Sequence, residues 1–144
     1  MDTVHILLVE DNEGDIVLTK EAIEEANAGT TVSVARDGEE AIAFLTNPYQ
    51  FTPAGYPDIV LLDINLPRRN GHEVLHFIKE SDTLRYLPVI MLTTSSYEKD
   101  INEAYKNQAN CYISKSVEIG DFLDVIAKVL EFWIKVVKLP TINH

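Results

Sequence analysis

Four groups of polar residues each stand directly after a short apolar run. Glu10, Asp11 and Asn12 follow VHILLV at 4–9, and Asp63, Ile64 and Asn65 follow DIVLL at 58–62. Thr93, Thr94, Ser95 and Ser96 follow PVIML at 88–92, and Ser114, Lys115 and Ser116 follow CYI at 111–113. If the four groups meet, three carboxylates (Glu10, Asp11 and Asp63) share a pocket with a hydroxyl and an ammonium. Two unit charges ~4 Å apart repel by about 4 kcal/mol at an effective dielectric near 20. Such a cluster must shift its pKa values or recruit a cation. Mg²⁺ suits an all-oxygen site and keeps room for water and phosphate oxygens. Asp11 and Asp63 would supply carboxylates, and the backbone carbonyl near Asn65 a further oxygen. An aspartate can be the nucleophile that forms an aspartyl phosphate. The metal and Lys115 would then neutralise charge on an incoming phosphoryl group, while the Thr93 hydroxyl donates to one of its oxygens. Taken singly, each residue has an ordinary reading. Asp11 and Asn12 would cap a helix, Lys115 would be a surface lysine, and Thr93 a strand-end hydroxyl.

Whether they meet depends on the elements that carry them. Five apolar runs alternate with helical patterns; the second, TVSVA at 31–35, is the weakest. Three of the runs are nearly continuous in aliphatic residues, as in strands covered on both faces of a parallel sheet. The helical segments run over 15–28, 38–45, 71–80, 98–107 and 118 to about 138, each with apolar residues near i, i+3, i+4 spacing. This alternation predicts right-handed βαβ crossovers and a doubly wound sheet. In such a sheet ligands bind beyond the carboxyl ends of the strands, where all four polar groups would fall. NPYQFTPAGYP at 47–57 reads as a loop.

The chain of 144 residues suits one domain, 46% apolar and 24% charged. A net charge of −11 argues against nucleic acid and against anionic membranes as partners. No apolar run approaches the ~18 residues of a membrane span, and no secretory signal opens the sequence. Cys111 is the lone cysteine, expected as a small buried hydrophobe and compatible with a reducing cytoplasm. His5, His72, His76 and His144 show no metal-site spacing. Arg68 and Arg69, after Asp63, would either be solvated or guide an acidic partner. Phe132, Trp133, Ile134, Val136, Val137 and Leu139 cover more than one face of the last helix. That breadth predicts either packing on the sheet or a homodimer contact.

ILLVEDN at 6–12, DIVLLDINLPRRNG at 58–71, PVIMLTTS at 88–95 and YISK at 112–115 resemble the receiver domains of two-component response regulators. The resemblance runs through nearly the whole chain. EDNEGDIVLTKEAI, LPRRNGHEVL and FWIKVVKLP are most similar to stand-alone regulators paired with phytochrome-type histidine kinases. It implies a flavodoxin-like (βα)5 fold with strand order 2-1-3-4-5. The single receiver domain would span 1–144, with 131–144 a C-terminal helix extension and tail. By resemblance Asp63 is the phosphoacceptor, Glu10 and Asp11 the acidic pair, and Asp11 a direct ligand of Mg²⁺. Asn65 would offer its backbone carbonyl, Thr93 would be the switch hydroxyl, Lys115 the phosphate-binding lysine and Tyr112 the aromatic rotamer switch. The donor would be a sensor histidine kinase or phosphotransfer protein in the cytoplasm. With no output domain after residue 144, the output is expected to be a protein contact through the fourth helix, fifth strand and fifth helix, and a homodimer, if it forms, would use the fourth/fifth-helix face and the C-terminal extension. The family usually has proline after its lysine; here Ser116 follows Lys115, so the loop there is expected either to turn differently or to carry strain.

Three rivals fit less well. An aspartate-nucleophile hydrolase needs an acid two residues after the nucleophile, where this chain has Asn65. A flavin or nucleotide binder needs a Gly- or Ser/Thr-rich phosphate loop after the first strand, where this chain has EDNEGD. A receiver acting without phosphorylation would not need the complete set of acids and lysine.

Overall fold

The computed structural model describes residues 3–26, 29–115 and 118–142. Five strands, β1 (His5–Val9), β2 (Thr31–Ala35), β3 (Ile59–Leu62), β4 (Val89–Thr93) and β5 (Cys111–Ser114), form one parallel sheet in the order 2-1-3-4-5. The helices are α1 (Glu13–Ala26), α2 (Gly38–Thr46), α3 (Gly71–Glu80), α4 (Glu98–Lys106) and α5 (Ile119–Leu130). Side chains alternate across a strand, and the sheet uses both faces. Leu7, Val9, Val60, Leu62 and Met91 pack with α2, α3 and α4, through Ala41, Leu45, Val74, Ile78 and Ala104. Ile6, Leu8, Ile59, Leu61, Ile90 and Leu92 pack with α1 and α5, through Ile16, Ile23, Phe122 and Ile126. Two buried faces explain why β1, β3 and β4 are continuous apolar runs. The weaker β2 is one of the two edge strands, and its first four residues are partly or fully exposed.

The expected elements all form, with shifts at their ends. α1 begins at Glu13 because the Asn12 side chain accepts the Asp15 N–H at 3.0 Å and caps the helix. A single 3₁₀ turn, Pro48–Gln50, interrupts the predicted loop. The largest difference lies at the C-terminus. Instead of one helix to about residue 138, α5 ends at Leu130 and Glu131–Val136 form a π-helical turn, with Val137 N–H donating to the Phe132 carbonyl at 3.0 Å. The wider turn brings Trp133, Ile134 and Leu139 against the α1–α5 side of the core. Phe132 and Val136 stay exposed.

Candidate functional site

Strand register sets the site. Val9 pairs with Leu62 and Thr93 with Ser114, so the residues just beyond them stand at one sheet edge. Backbone bonds carry the ladder one step further, from Asp63 N–H to the Val9 carbonyl at 3.1 Å and from Lys115 N–H to the Thr93 carbonyl at 2.7 Å. Thr93 is itself the last residue of β4, one position earlier than the sequence pattern places it.

The Lys115 ammonium is the centre of the cluster. It forms a close ion pair with Glu10 Oε1 and lies 3.0 Å from Asp15 Oδ2 and 3.4 Å from Asp63 Oδ2. Its side chain and those of Glu10 and Asp63 are all buried. The second oxygen of Glu10 accepts the N–H groups of Asp11 and Asn12 at 3.0 and 3.2 Å. Asp63 Oδ1 accepts the Ile64 N–H at 2.7 Å, with the Asn65 N–H at 3.4 Å. Both buried acids are thereby held by backbone at one oxygen and by Lys115 at the other. Burial drives the Glu10 carboxyl up to about 7, against the pull of Lys115, with the Asp63 charge adding to the rise. Burial alone would lower the Lys115 ammonium, but Glu10, Asp63 and Asp15 outweigh it and hold its pKa above the ordinary 10.5. The site thus shifts one carboxyl and pins one cation, the outcome expected of crowded acids.

Ligand oxygens of Glu10, Asp11 and Asp63 all lie within 4.8 Å of one another. Asp11 is exposed at the mouth while the other two are buried. An oxygen-only set with one open side fits a hard divalent cation such as Mg²⁺. Asn65 is exposed beside this set. Thr93 is fully buried, its Oγ1 lying 3.4 Å from the Ser95 N–H. The Tyr112 hydroxyl reaches the Ser95 carbonyl at 2.9 Å.

The loop after Asp63 is held by contacts that only glycine permits. A Cβ on Gly71 would lie 2.1 Å from the Asp63 carbonyl oxygen, and one on Gly38 would lie 1.8 Å from the Arg69 carbonyl oxygen. Close approach of backbone to backbone explains the glycine that ends LPRRNG. Asn70 and Glu73 then form a full capping box at the start of α3. Arg68 lies 3.7 Å from Asp37 and 3.5 Å from Glu39, tying this loop to the start of α2 while remaining exposed.

Two features lie outside the sequence expectations. Asp15, read only as the start of a helix, joins the site; its signal was its place in the first turn of α1, four residues after Asp11. His72 Nε2 lies 3.2 Å from Asp100 Oδ1 and 3.5 Å from Glu103 Oε2, so packing brings together a set that spacing did not show. Its Nδ1 is buried with no hydrogen-bond partner, whereas a metal-bound imidazole normally donates from its second nitrogen. The set therefore reads as a polar contact that joins α3 to α4 through the His72 imidazole. His5 is buried, and His76 is exposed near Glu80. Cys111 is only partly buried, less than expected. Ser116 and His144 lie outside the described residues.

A family profile described as the response regulator receiver domain matches residues 6–127. The chain belongs to the response regulator receiver family. It is 37% identical over 135 residues to the response regulator Rcp1 of Synechocystis sp., covering 94% of this chain and 92% of that protein. The crystal structure of the phosphorylated cyanobacterial phytochrome response regulator RcpA superposes with a TM-score of 0.91 at 40% identity, over 97% of this receiver and all of that chain. The Mn²⁺-bound form of Rcp1 gives a TM-score of 0.88 at 37% identity, covering 96% and 99% of the two chains. Among the described residues, no helix of this receiver is long and apolar enough to cross a membrane.

Proposed function

We propose that Asp63 is the phosphoacceptor of a two-component phosphorelay, taking its phosphoryl group from a histidine kinase or phosphotransfer protein. The observation that carries this is Asp63 Oδ2 facing the Lys115 ammonium at 3.4 Å, beside two further acids. Oδ2 forms the new bond to phosphorus as the phosphorus–nitrogen bond of a phosphohistidine breaks and the imidazole leaves. When bound, Mg²⁺ would be held by Asp11, Asp63 and Glu10 with the Asn65 carbonyl, and would neutralise charge on the transferring group. Lys115 turns one N–H from a carboxylate to a phosphoryl oxygen. The Thr93 hydroxyl donates to another. The phosphoryl group adds about −1.5 to −2 charge, and Tyr112 turns into the space Thr93 leaves, changing the face of α4, β5 and α5. Receiver residues thus catalyse transfer of the phosphoryl group from the donor to Asp63, and later its transfer from Asp63 to water. Incubation with acetyl phosphate and Mg²⁺ should label the protein, and Asp63→Asn should abolish the label; an equally labelled variant sinks the assignment.

The likeness to the phytochrome response regulator RcpA supports a phytochrome-type kinase as the partner, and the lone cysteine supports a reducing cytoplasm as the place of the exchange. We read 1–144 as one receiver unit with 131–144 as an extension, since the π-helical turn packs on the α1–α5 side of the core. Exposed Phe132 and Val136 on that turn, with Tyr97 just before α4 and Tyr105 on it, support a homodimer through these faces. Light scattering should show a dimer that Phe132→Asp with Val136→Asp converts to monomer; a monomeric wild type refutes it.

A further inference from the structure

Asp15 places a third carboxylate on the Lys115 ammonium, and we propose that it is a positioning residue that holds Lys115 back from Asp63 until a phosphoryl group arrives. The inference rests on reading Asp63 as the acceptor. An ammonium has three N–H donors, and Glu10, Asp15 and Asp63 take all three. A phosphoryl oxygen that binds Lys115 must displace one of them. Glu10 is buried and makes the closest contact. Asp63 is the acceptor itself. Asp15 is one-third exposed, at the rim, where water can take over its hydrogen bonds. It is the partner that yields.

Two local features free Asp15 for this work. At α3, Asn70 caps the helix and Glu73 reaches back to the Asn70 N–H at 2.9 Å. At α1, Asn12 stands in the same capping relation to Asp15, but the Asn12 N–H is taken by Glu10 Oε2 at 3.2 Å. The residue at the third helical position is also Asp, one methylene shorter than Glu73. Its carboxylate reaches Lys115 at 3.0 Å, closer than Asp63 at 3.4 Å.

Removing the Asp15 charge has two consequences of one sign. It releases an ammonium N–H for the phosphoryl oxygen, and it removes a negative charge from the path of an anionic donor. The full chain should be labelled by acetyl phosphate with Mg²⁺ about twofold to fivefold faster as Asp15→Asn, the scale of a partly exposed ion pair. Asp15→Glu, which keeps the charge within reach of Lys115, should stay near the wild-type rate. The gain should shrink as salt is raised, because a rim charge is screened. Asp15→Asn labelled at the wild-type rate or more slowly, or a gain indifferent to salt, overturns the proposal. A readout independent of phosphorylation is the NMR relaxation of the Lys115 Cε methylene in metal-free protein. Greater mobility in Asp15→Asn supports the restraint, and unchanged mobility overturns it. Failure of the wild type to label while mobility rises would overturn the acceptor reading and leave the restraint standing.

Discussion

The Tyr112 hydroxyl on β5 donates to the Ser95 carbonyl at 2.9 Å, and the Ser95 N–H lies 3.4 Å from Thr93 Oγ1. One residue therefore joins the two expected switch side chains. Ser95 also accepts from the Ser114 hydroxyl at 3.2 Å and donates its own hydroxyl to Asp100 of α4 at 2.5 Å. A displacement of Thr93 toward a phosphoryl group would pull on Tyr112 and α4 through this backbone. Tyr112→Phe should lose about 1 kcal/mol of stability, the net worth of one hydrogen bond, and should keep its acetyl phosphate label. Urea unfolding checks the first and the labelling assay the second; wild-type stability would show that the hydroxyl is not held.

Lys115→Met should be costly in chelator. Glu10 and Asp63 would face each other without their cation, and breaking a buried ion pair typically costs about 3–5 kcal/mol. A bound cation stabilises the folded state by mass action. Mg²⁺ should therefore raise the melting temperature of Lys115→Met more than that of the wild type. Equal increments in the two proteins would contradict the shared cluster.

Gly71→Ala should disturb the acceptor loop directly. The new methyl meets the Asp63 carbonyl oxygen at 2.1 Å and the Ile64 Cα at 2.7 Å, both backbone atoms that yield only if the loop itself moves. Overpacking of this kind costs about 1–3 kcal/mol. Shifting the Asp63–Asn65 segment should also slow labelling. A variant with wild-type stability and labelling would show that the loop gives way freely.

His5 makes stability depend on pH. Burial lowers its pKa from 6.5, against the Tyr56 carbonyl and the Asp58 charge. Its Nδ1 lies 3.3 Å from the Tyr56 carbonyl oxygen and so carries the proton, leaving Nε2 to accept from the Ser33 hydroxyl at 2.8 Å. Below 6.5 the unfolded chain takes up a proton that the folded protein still refuses, so stability falls as pH is lowered through 6.5 and rises as pH returns. Glu10, raised to about 7, contributes a slope of the opposite sign over the same range, so the His5 part is read as the difference between wild type and His5→Gln: from about pH 7 to 5 the urea midpoint of the wild type should fall relative to that of the variant. An unchanged slope in His5→Gln would assign the effect to other groups.

Apolar runs and their flanking residues were enough to specify the sheet, its two covered faces and the strand-end placement of Glu10, Asp11, Asp63, Thr93 and Lys115. Those readings are local: an aliphatic run specifies a buried strand, and the residue after it falls at the carboxyl edge of a parallel sheet wherever the strand sits. Asp15 was different, because an acid in a first helical turn has an ordinary role there, and its partner Lys115 is 100 residues away. His72 belongs to α3, and only the packing of α3 on α4 brings Asp100 and Glu103 to it. The π-helical turn after Leu130 was equally hidden, since its apolar residues satisfy a helical pattern and only the core they meet decides the winding. Tertiary structure decided which side chains share a proton, a cation or a surface, because those energies depend on distances that strand and helix periodicity leave open.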